Sequence, residues 1–414
     1  MVNSFKKDNK MLKENIIGIV AEYNPFHNGH AYQINTAKKA LQATGVIAVM
    51  SGNFTQRGEM ALLDKWQRTQ LALAGGVDLV LELPAVYALR SSESFGAGGV
   101  RLLAATGLVS HLVFGCETQN PELLAQLAGE KITKTKLLPY LKKGLTYGAA
   151  IEAYLQKHYP KATELLKEPN NILAMSYWQA LQKLKNAPEP YPLLRQGAGY
   201  KETALNSKFP SAQALRQELY AKGLTPQAAQ GFPSAVLALL PGLLSQKPLP
   251  GHEEAFYLLL KHCLSQSSPI EVLKHSDCSE GLENKFLAAL TATDYEAFLA
   301  SVKSKRYPMT RLKRLACQLL VSSCAAPFAT TRKMAPAYLR VLGFNATGRQ
   351  LLKAMKKTAT LPILTKLHKN EEVGKSKAFQ AELATDIAAT NLYDLLNESN
   401  GFNRDYLVSP VYYK

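Results

Sequence analysis

Residues 18–40 read GIVAEYNPFHNGHAYQINTAKKA, and two histidines three positions apart, His27 and His30, fall between an apolar run and a helical pattern. Ile16 to Ala21 is a short β-branched run, whereas from Ala31 onward Ile34, Ala37 and Leu41 recur along one helical face. The histidines therefore sit where a strand gives way to a helix. A helix start presents unpaired N–H groups and the positive end of the helix dipole, so it attracts anions, phosphate foremost. Pro25 stiffens the turn, and Gly29 lets a ligand approach the backbone without meeting a Cβ. Two imidazoles at that place can donate hydrogen bonds to phosphate oxygens and stabilise the charge that builds when the α-phosphorus of a triphosphate is attacked. Two rival readings stand beside this one. A zinc site would want a third ligand, and no His, Cys or carboxylate follows at helical spacing; simple packing histidines are the other alternative.

Three more apolar runs with strand character follow before residue 120: TGVIAVMSG, GVDLVLELP and VSHLVFGCE. Helical patterns such as ALLDKWQRTQLALAGG and SFGAGGVRLLAATG separate them. Continuous apolar runs joined by helical crossovers predict a parallel sheet buried on both faces, a doubly wound α/β fold. Ligands of such sheets bind beyond the carboxyl ends of the strands, where EYNPFHNGH, MSGNFTQRG, ELP and FGCE lie. Ile151 to Lys185 reads as helical with an interruption at KEPNNIL, and NAPEPYPLL as a turn followed by another extended run. Ser211 is placed to cap a helix carrying Arg216 in its second turn. Beyond LLPGLLSQKPLPGHEEA helical periodicity dominates. The expected division is a leader at 1–15, a Rossmann-like domain over 16–235 and a mostly α-helical basic domain over 236–414.

The 414 residues carry a formal charge of +17, and the placement of that charge is uneven. Between Glu296 and Glu371 there is no Asp or Glu, while fifteen Lys and Arg fall inside, from Lys303 to Lys369. A soluble helical surface normally intersperses Glu with Lys, so exclusion of acids points to a polyanionic partner. Five cysteines, Cys116, Cys263, Cys278, Cys317 and Cys324, are odd in number and never spaced as a CxxC pair, which predicts reduced packing residues rather than disulfides or structural zinc. No apolar run reaches the roughly 18 residues of a membrane span, and the first fifteen residues lack the apolar middle of a signal peptide. A soluble cytoplasmic protein is expected, with a disordered leader.

The turn HNGH between strand and helix resembles the HxGH signature of nucleotidylyltransferases and class I aminoacyl-tRNA synthetases. The longer set of EYNPFHNGH, MSGNFTQRGE, DKW, GVDLVLELP, FGCE, EPNNILAMSY, RQGAGY, SAQALR, YPMTRLKR and LRVLGFNATGRQLL resembles the bacterial tRNA(Met) cytidine acetate ligases from about Ile16 onward. That resemblance implies a Rossmann-like nucleotidylyltransferase domain followed by a helical tRNA-binding region. It implies ATP and acetate as substrates, acetyl-adenylate as intermediate, and N4 of the wobble cytidine of elongator tRNA(Met) as acceptor, with no role for DNA or membrane; Mg2+ is a further candidate. His27 and His30 would be catalytic. The ATP site carried over by position comprises Val20, Ala21, Glu22, Tyr23, Asn24, Pro25, Phe26, His27, Asn28, Gly29, His30, Ala31, Tyr32 and Gln33, together with Gly115, Asn170 and Arg195. Asn170 and Asn171 are interchangeable at this stage, and Arg195 reads as a phosphate contact in preference to a helix cap, because the QGAG after it reads as a flexible loop. Arg311, Lys313 and Arg314 are expected to touch tRNA. Arg57, Lys65 and Arg68 read as pyrophosphate ligands, tRNA ligands or solvated charges. A nucleotidylyltransferase acting on a phosphorylated metabolite is the alternative, and the acid-free stretch argues against it. Glu22 and Tyr23 stand where simpler nucleotidylyltransferases have Gly and Phe, so their small-molecule substrates are not carried over. SAQALR matches the Ser-rich phosphate motif of the wider superfamily only loosely, leaving Ser211 and Arg216 without an assigned role.

Overall fold

Each of the four early apolar runs forms a strand: β1 Ile16–Ala21, β2 Gly45–Ser51, β3 Leu79–Leu83 and β4 Val109–Cys116. The extended run after NAP forms β5, Glu189–Leu194. These come from a computed structural model that describes residues 15–414 apart from 131, 146, 197–204, 206–208, 247–248, 250–252, 276, 280, 323–327, 329–334, 369–374 and 398–400. The expected leader up to Glu14, Cys324, Arg332, Lys333, Lys369 and most of RQGAGY thus lie outside the described residues.

All five strands pair in parallel in the order β5-β4-β1-β2-β3. From β1 the chain builds outward to β3 on one side, then returns to lay β4 and β5 on the other. The reversal opens a crevice at the carboxyl ends of β1 and β4. Alternate residues feed different cores, Ile47 and Val49 on one face and Val46, Ala48 and Met50 on the other, which is why the run reads as continuously apolar. The helix α1 Asn28–Leu41 packs on the second face with α2 Lys65–Ala74, and α4 Ser92–Ala105, preceded by the single turn α3 Ala85–Ala88, covers the first.

The C-terminal half is largely helical. The helices Glu253–Ser265, Leu282–Ala288, Tyr295–Val302, Met309–Ser322 and Lys377–Leu396 build a core around Phe256, Phe286, Phe298 and Leu315, which also takes in Phe54, Ala85 and Leu89 from the α/β half. The helical reading of 236–414 nevertheless missed three strands. β6 Leu339–Phe344 lies antiparallel beside β3, and the two-residue strands β7 Ile363–Leu364 and β8 Val411–Tyr412 pair with β6. Arg340 interrupts the apolar run of β6, and a two-residue strand has no period to read. Arg340 is buried because Asp405 accepts from it at 3.3 Å; Asp405 also takes Lys65 Nζ at 2.7 Å, and Glu82 takes that ammonium from the other side at 2.7 Å. Residues beyond 235 therefore complete the sheet.

The described cysteines, Cys116, Cys263, Cys278 and Cys317, are free thiols. Among the described residues no helix is long and apolar enough to cross a membrane.

Candidate active site

The two histidines close the start of α1 as a reciprocal cap. His27 Nδ1 accepts the Gly29 N–H at 3.0 Å, and His30 Nδ1 accepts the His27 N–H at 3.2 Å. A neutral imidazole whose Nδ1 accepts must carry its proton on Nε2, so both rings are fixed as Nε2–H donors. They stack 3.9 Å apart, and the Tyr23 and Phe26 rings hold His30 at 4.9 and 5.4 Å. Burial, then the nearby Arg195 and Arg216 charges, push the His27 imidazole from 6.5 down to about 3; burial and the neighbouring His27 hold His30 well below its ordinary value. The pair is thus two neutral donors rather than two cations.

The turn that carries them is pinned from all sides. Arg68, fully buried, donates to the carbonyls of Glu22, Ser51, Gly52 and Leu63, tying the carboxyl ends of β1 and β2 together. Gln56 N–H donates to the Glu22 carboxylate at 2.7 Å, Leu62 N–H to Asn24 Oδ1 at 2.8 Å, and Arg216 to the Asn24 carbonyl at 2.7 Å. Asn28 is anchored by its N–H on Gly231 at 2.8 Å and its amide on Gln230 at 2.7 Å. Ser211 caps the helix Ala212–Lys222 by accepting from Ala214 N–H, as its position predicts.

A cleft opens beside this turn, and its walls sort the expected ATP residues. His27, Gly29, His30, Tyr32, Gln33, Gly115 and Arg195 face it together. Val20, Ala21, Glu22, Tyr23, Asn24, Pro25, Phe26, Asn28 and Ala31 are not in its lining; they shape and hold the turn. Gly115 lies near the end of β4 with Arg195 alongside: a Cβ there would come within 3.0 Å of the Arg195 side chain, and the Arg195 backbone N–H donates to the Cys116 carbonyl at 2.9 Å. Asn170 stands behind the wall, donating to Glu117, whose carboxylate lies 4.0 Å from Arg195. Asn171 is buried, accepting from Glu117 N–H at 2.8 Å and donating to the Leu165 carbonyl at 2.9 Å. Of the two asparagines, Asn170 is therefore the one linked to the cleft through a side chain. Leu193, Leu194, Phe209 and Pro210 add apolar wall that the sequence reading did not single out, with Phe209 and Tyr32 in ring contact at 5.4 Å. Apolar and aromatic lining with a few converging polar groups suits a nucleobase.

The cations expected to meet phosphate or RNA have other partners. Lys65 and Arg68 are fully buried in the contacts described above. Arg314 donates to both carboxylate oxygens of Asp277 at 3.0 and 3.1 Å, Lys313 pairs with Glu59 at 2.7 Å, and Arg311 reaches the Asp277 carbonyl at 2.8 Å and Ser279 at 2.6 Å. Their helix docks against Gly58, whose φ is +73° and whose missing Cβ would lie 2.3 Å from the Arg314 nitrogen. Lys313, through Glu59, and Arg314, through the Gln56 carbonyl at 3.4 Å, fasten the helical region to the loop after β2, while Arg311 and Arg314 tie their helix to the Asp277–Ser279 segment of the same region. Long-range carboxylates, invisible to local spacing, decide this.

A parallel sheet with its crevice at β1 and β4, a capped helix start bearing two stacked Nε2–H donors, and an apolar cleft define a nucleotidyl-transfer site. The family described as HIGH Nucleotidyl Transferase matches residues 14–406. The tRNA(Met) cytidine acetate ligase of Clostridium novyi is 36% identical over 411 residues, covering 97% of this chain and 100% of that protein; the one of Clostridium kluyveri is 38% identical over 412 residues, covering 96% and 98%. Crystal structures of Thermotoga maritima TmcAL, one apo and one bound with alpha-thio ATP, match with TM-scores of 0.88 and 0.86 at 31% and 30% identity, each over 96% of this chain and 99% of the other. The chain belongs to the tRNA(Met) cytidine acetate ligase family.

Proposed function

We propose that this enzyme activates acetate with ATP as acetyl-adenylate and passes the acetyl group to N4 of the wobble cytidine of elongator tRNA(Met), in the cytoplasm. The observation that carries the chemistry is the reciprocal histidine cap, because it aims two fixed, neutral donors at the place where phosphate charge develops. An acetate oxygen attacks the α-phosphorus, the bond to the β-phosphate oxygen breaks, and pyrophosphate leaves with the electron pair. The Nε2–H groups of His27 and His30 and the start of α1 stabilise the added charge, and Arg195 and Arg216 balance the triphosphate. The cytidine amine then attacks the acetyl carbon, a proton leaves N4, and AMP departs. The exocyclic amine is a poor nucleophile, so holding it against the anhydride in a water-poor site is the enzyme's main task.

The residues proposed to contact ATP are those facing the cleft, His27, Gly29, His30, Tyr32, Gln33, Gly115 and Arg195, with Asn170 acting beside Arg195 and the rest of Val20 to Ala31 fixing the turn. Among the described residues no group of three or more His, Cys, Asp or Glu is placed to hold a metal ion. Magnesium would arrive on the triphosphate, since it keeps most of its waters and needs few protein carboxylates. A metabolite-adenylylating enzyme is the less favoured reading, because full-length relatives of this chain bear the ligase name.

Incubation with ATP, labelled acetate and tRNA should yield N4-acetylcytidine on digestion of the RNA, and its absence would overturn the reading. His27→Asn and His30→Gln each keep a residue able to cap the helix while removing the imidazole donor. Each should slow acetate-dependent ATP–pyrophosphate exchange on the order of a hundredfold, about 3 kcal/mol, with little change in melting temperature.

A further inference from the structure

At the opposite end of the sheet from the histidines, an open cleft of about 1680 Å³ runs past Asn15, Thr44 and Val109, at the amino ends of β1, β2 and β4. One wall is the helix Ala346–Thr358, contributing Lys353 and Lys357; the other is the end of α4 and the turn before β5, contributing Arg101 and Lys185. None of these four makes an ion pair among the described residues. Lys185, Lys353 and Lys357 are exposed, and Arg349 and Lys356 extend the charge along the same helix. Positions 349, 353 and 357 lie one turn apart, roughly 6 Å each, while Leu351, Leu352 and Met355 turn into the core. Among the described residues lining the cleft, the one carboxylate is Glu189, 3.5 Å from His111.

We propose that this two-walled basic cleft is where the phosphate backbone of the tRNA docks, an assignment that rests on the tRNA reading above. A merely solvated lysine surface would mix in acids and would not place cations on both walls of one groove. The cleft exceeds the roughly 300–1,000 Å³ of small-molecule pockets and stands open, which fits a macromolecular partner. A six-residue strand spans about 20 Å, so the cleft lies about one strand length from the histidine pair. A folded RNA is long enough to reach both. Contacts of this kind position the nucleic acid without reading its sequence, so they set affinity and salt dependence rather than identity.

The test replaces Arg101, Lys185, Lys353 and Lys357 together by alanine, and as a charge-matched control the exposed Lys142, Lys143, Lys157 and Lys161. Binding of unmodified tRNA(Met) transcript is measured against salt, with acetate-dependent exchange in the absence of RNA reporting that the nucleotide site is formed. The cleft variant should raise Kd at low salt about tenfold or more and flatten the slope of log K against log salt by roughly 3, with the loss of acetylation appearing in KM for tRNA. The control should stay near wild type. Equal losses in both variants, or none in the cleft variant, overturn the docking assignment while acetylation by wild type still stands. A wild type that acetylates no tRNA overturns both.

Discussion

The helices Met309–Ser322 and Ala346–Thr358 lie in the same acid-free stretch, are both amphipathic, and both carry a row of cations, yet their charges meet opposite fates. On the first, Arg311, Lys313 and Arg314 turn toward Asp277, Ser279 and Glu59, groups supplied by distant segments. On the second, Arg349, Lys353, Lys356 and Lys357 face solvent. A lack of acids along the chain therefore does not mean a lack of acids in space. What separates a structural cation from an available one is the side of the helix that the tertiary fold covers, and only the second helix keeps its cationic side open.

The comparison breaks most visibly at Arg314. It is 8% exposed and bidentate on Asp277, whose side chain is 11% exposed, so Arg314→Ala leaves a mostly buried carboxylate held, among the described residues, only by Gln318 and should lower stability by roughly 3 kcal/mol in chemical denaturation. A loss under 1 kcal/mol would put this helix in the same class as the other.

The histidine pair offers a buried contrast, ionisable groups with no counter-ion among the described residues. His27 is held at about 3 when folded against 6.5 when unfolded, and His30 is shifted the same way, so below pH 6.5 the unfolded chain binds protons that the native state refuses. Stability from this source is fully present above pH 6.5 and is lost as pH falls toward the folded values, by up to about 1.4 kcal/mol per pH unit for each histidine. Melting curves across that window should show a shallower decline for His27→Asn than for wild type.

The smallest effects sharpen the comparison by their order. Lys313 and Glu59 keep side-chain exposures of 25% and 34%, so a double-mutant cycle should return about 0.2–1 kcal/mol of coupling. Lys356→Ala, on the open helix, should change stability by less than about 0.5 kcal/mol.

The sequence made the first four strands legible because each is a short, mainly apolar run rich in Val, Ile and Leu set off from its neighbours by a helical pattern, and β5 because an extended run followed a Pro-rich turn. The histidine turn was legible because its chemistry is local: the cap, the glycine and the helix start all lie within HNGH. Arg68, Lys65 and Arg340 were not legible, since a cation is read as surface or ligand until its carbonyls or carboxylates are found tens to hundreds of residues away. β6 was hidden by the same arginine that Asp405 neutralises. Phe209 and Pro210 gave no periodic signal because they come from a connection between elements.

The long reach of Lys65 also bears on how the enzyme is made. Glu82 emerges soon after Lys65, but Asp405, which completes the cluster with both Lys65 and Arg340, is translated 340 positions after the lysine. At about 5–20 residues per second the ribosome takes tens of seconds to cover that distance. Throughout that interval the nascent α/β half carries a cationic centre short of its second carboxylate, and for most of it, until Leu339–Phe344 is made, a β3 edge not yet covered by β6. An exposed edge strand of that kind is a template for pairing with other chains, so the growing polypeptide is most open to misassociation, and to chaperone capture, until its last segment arrives.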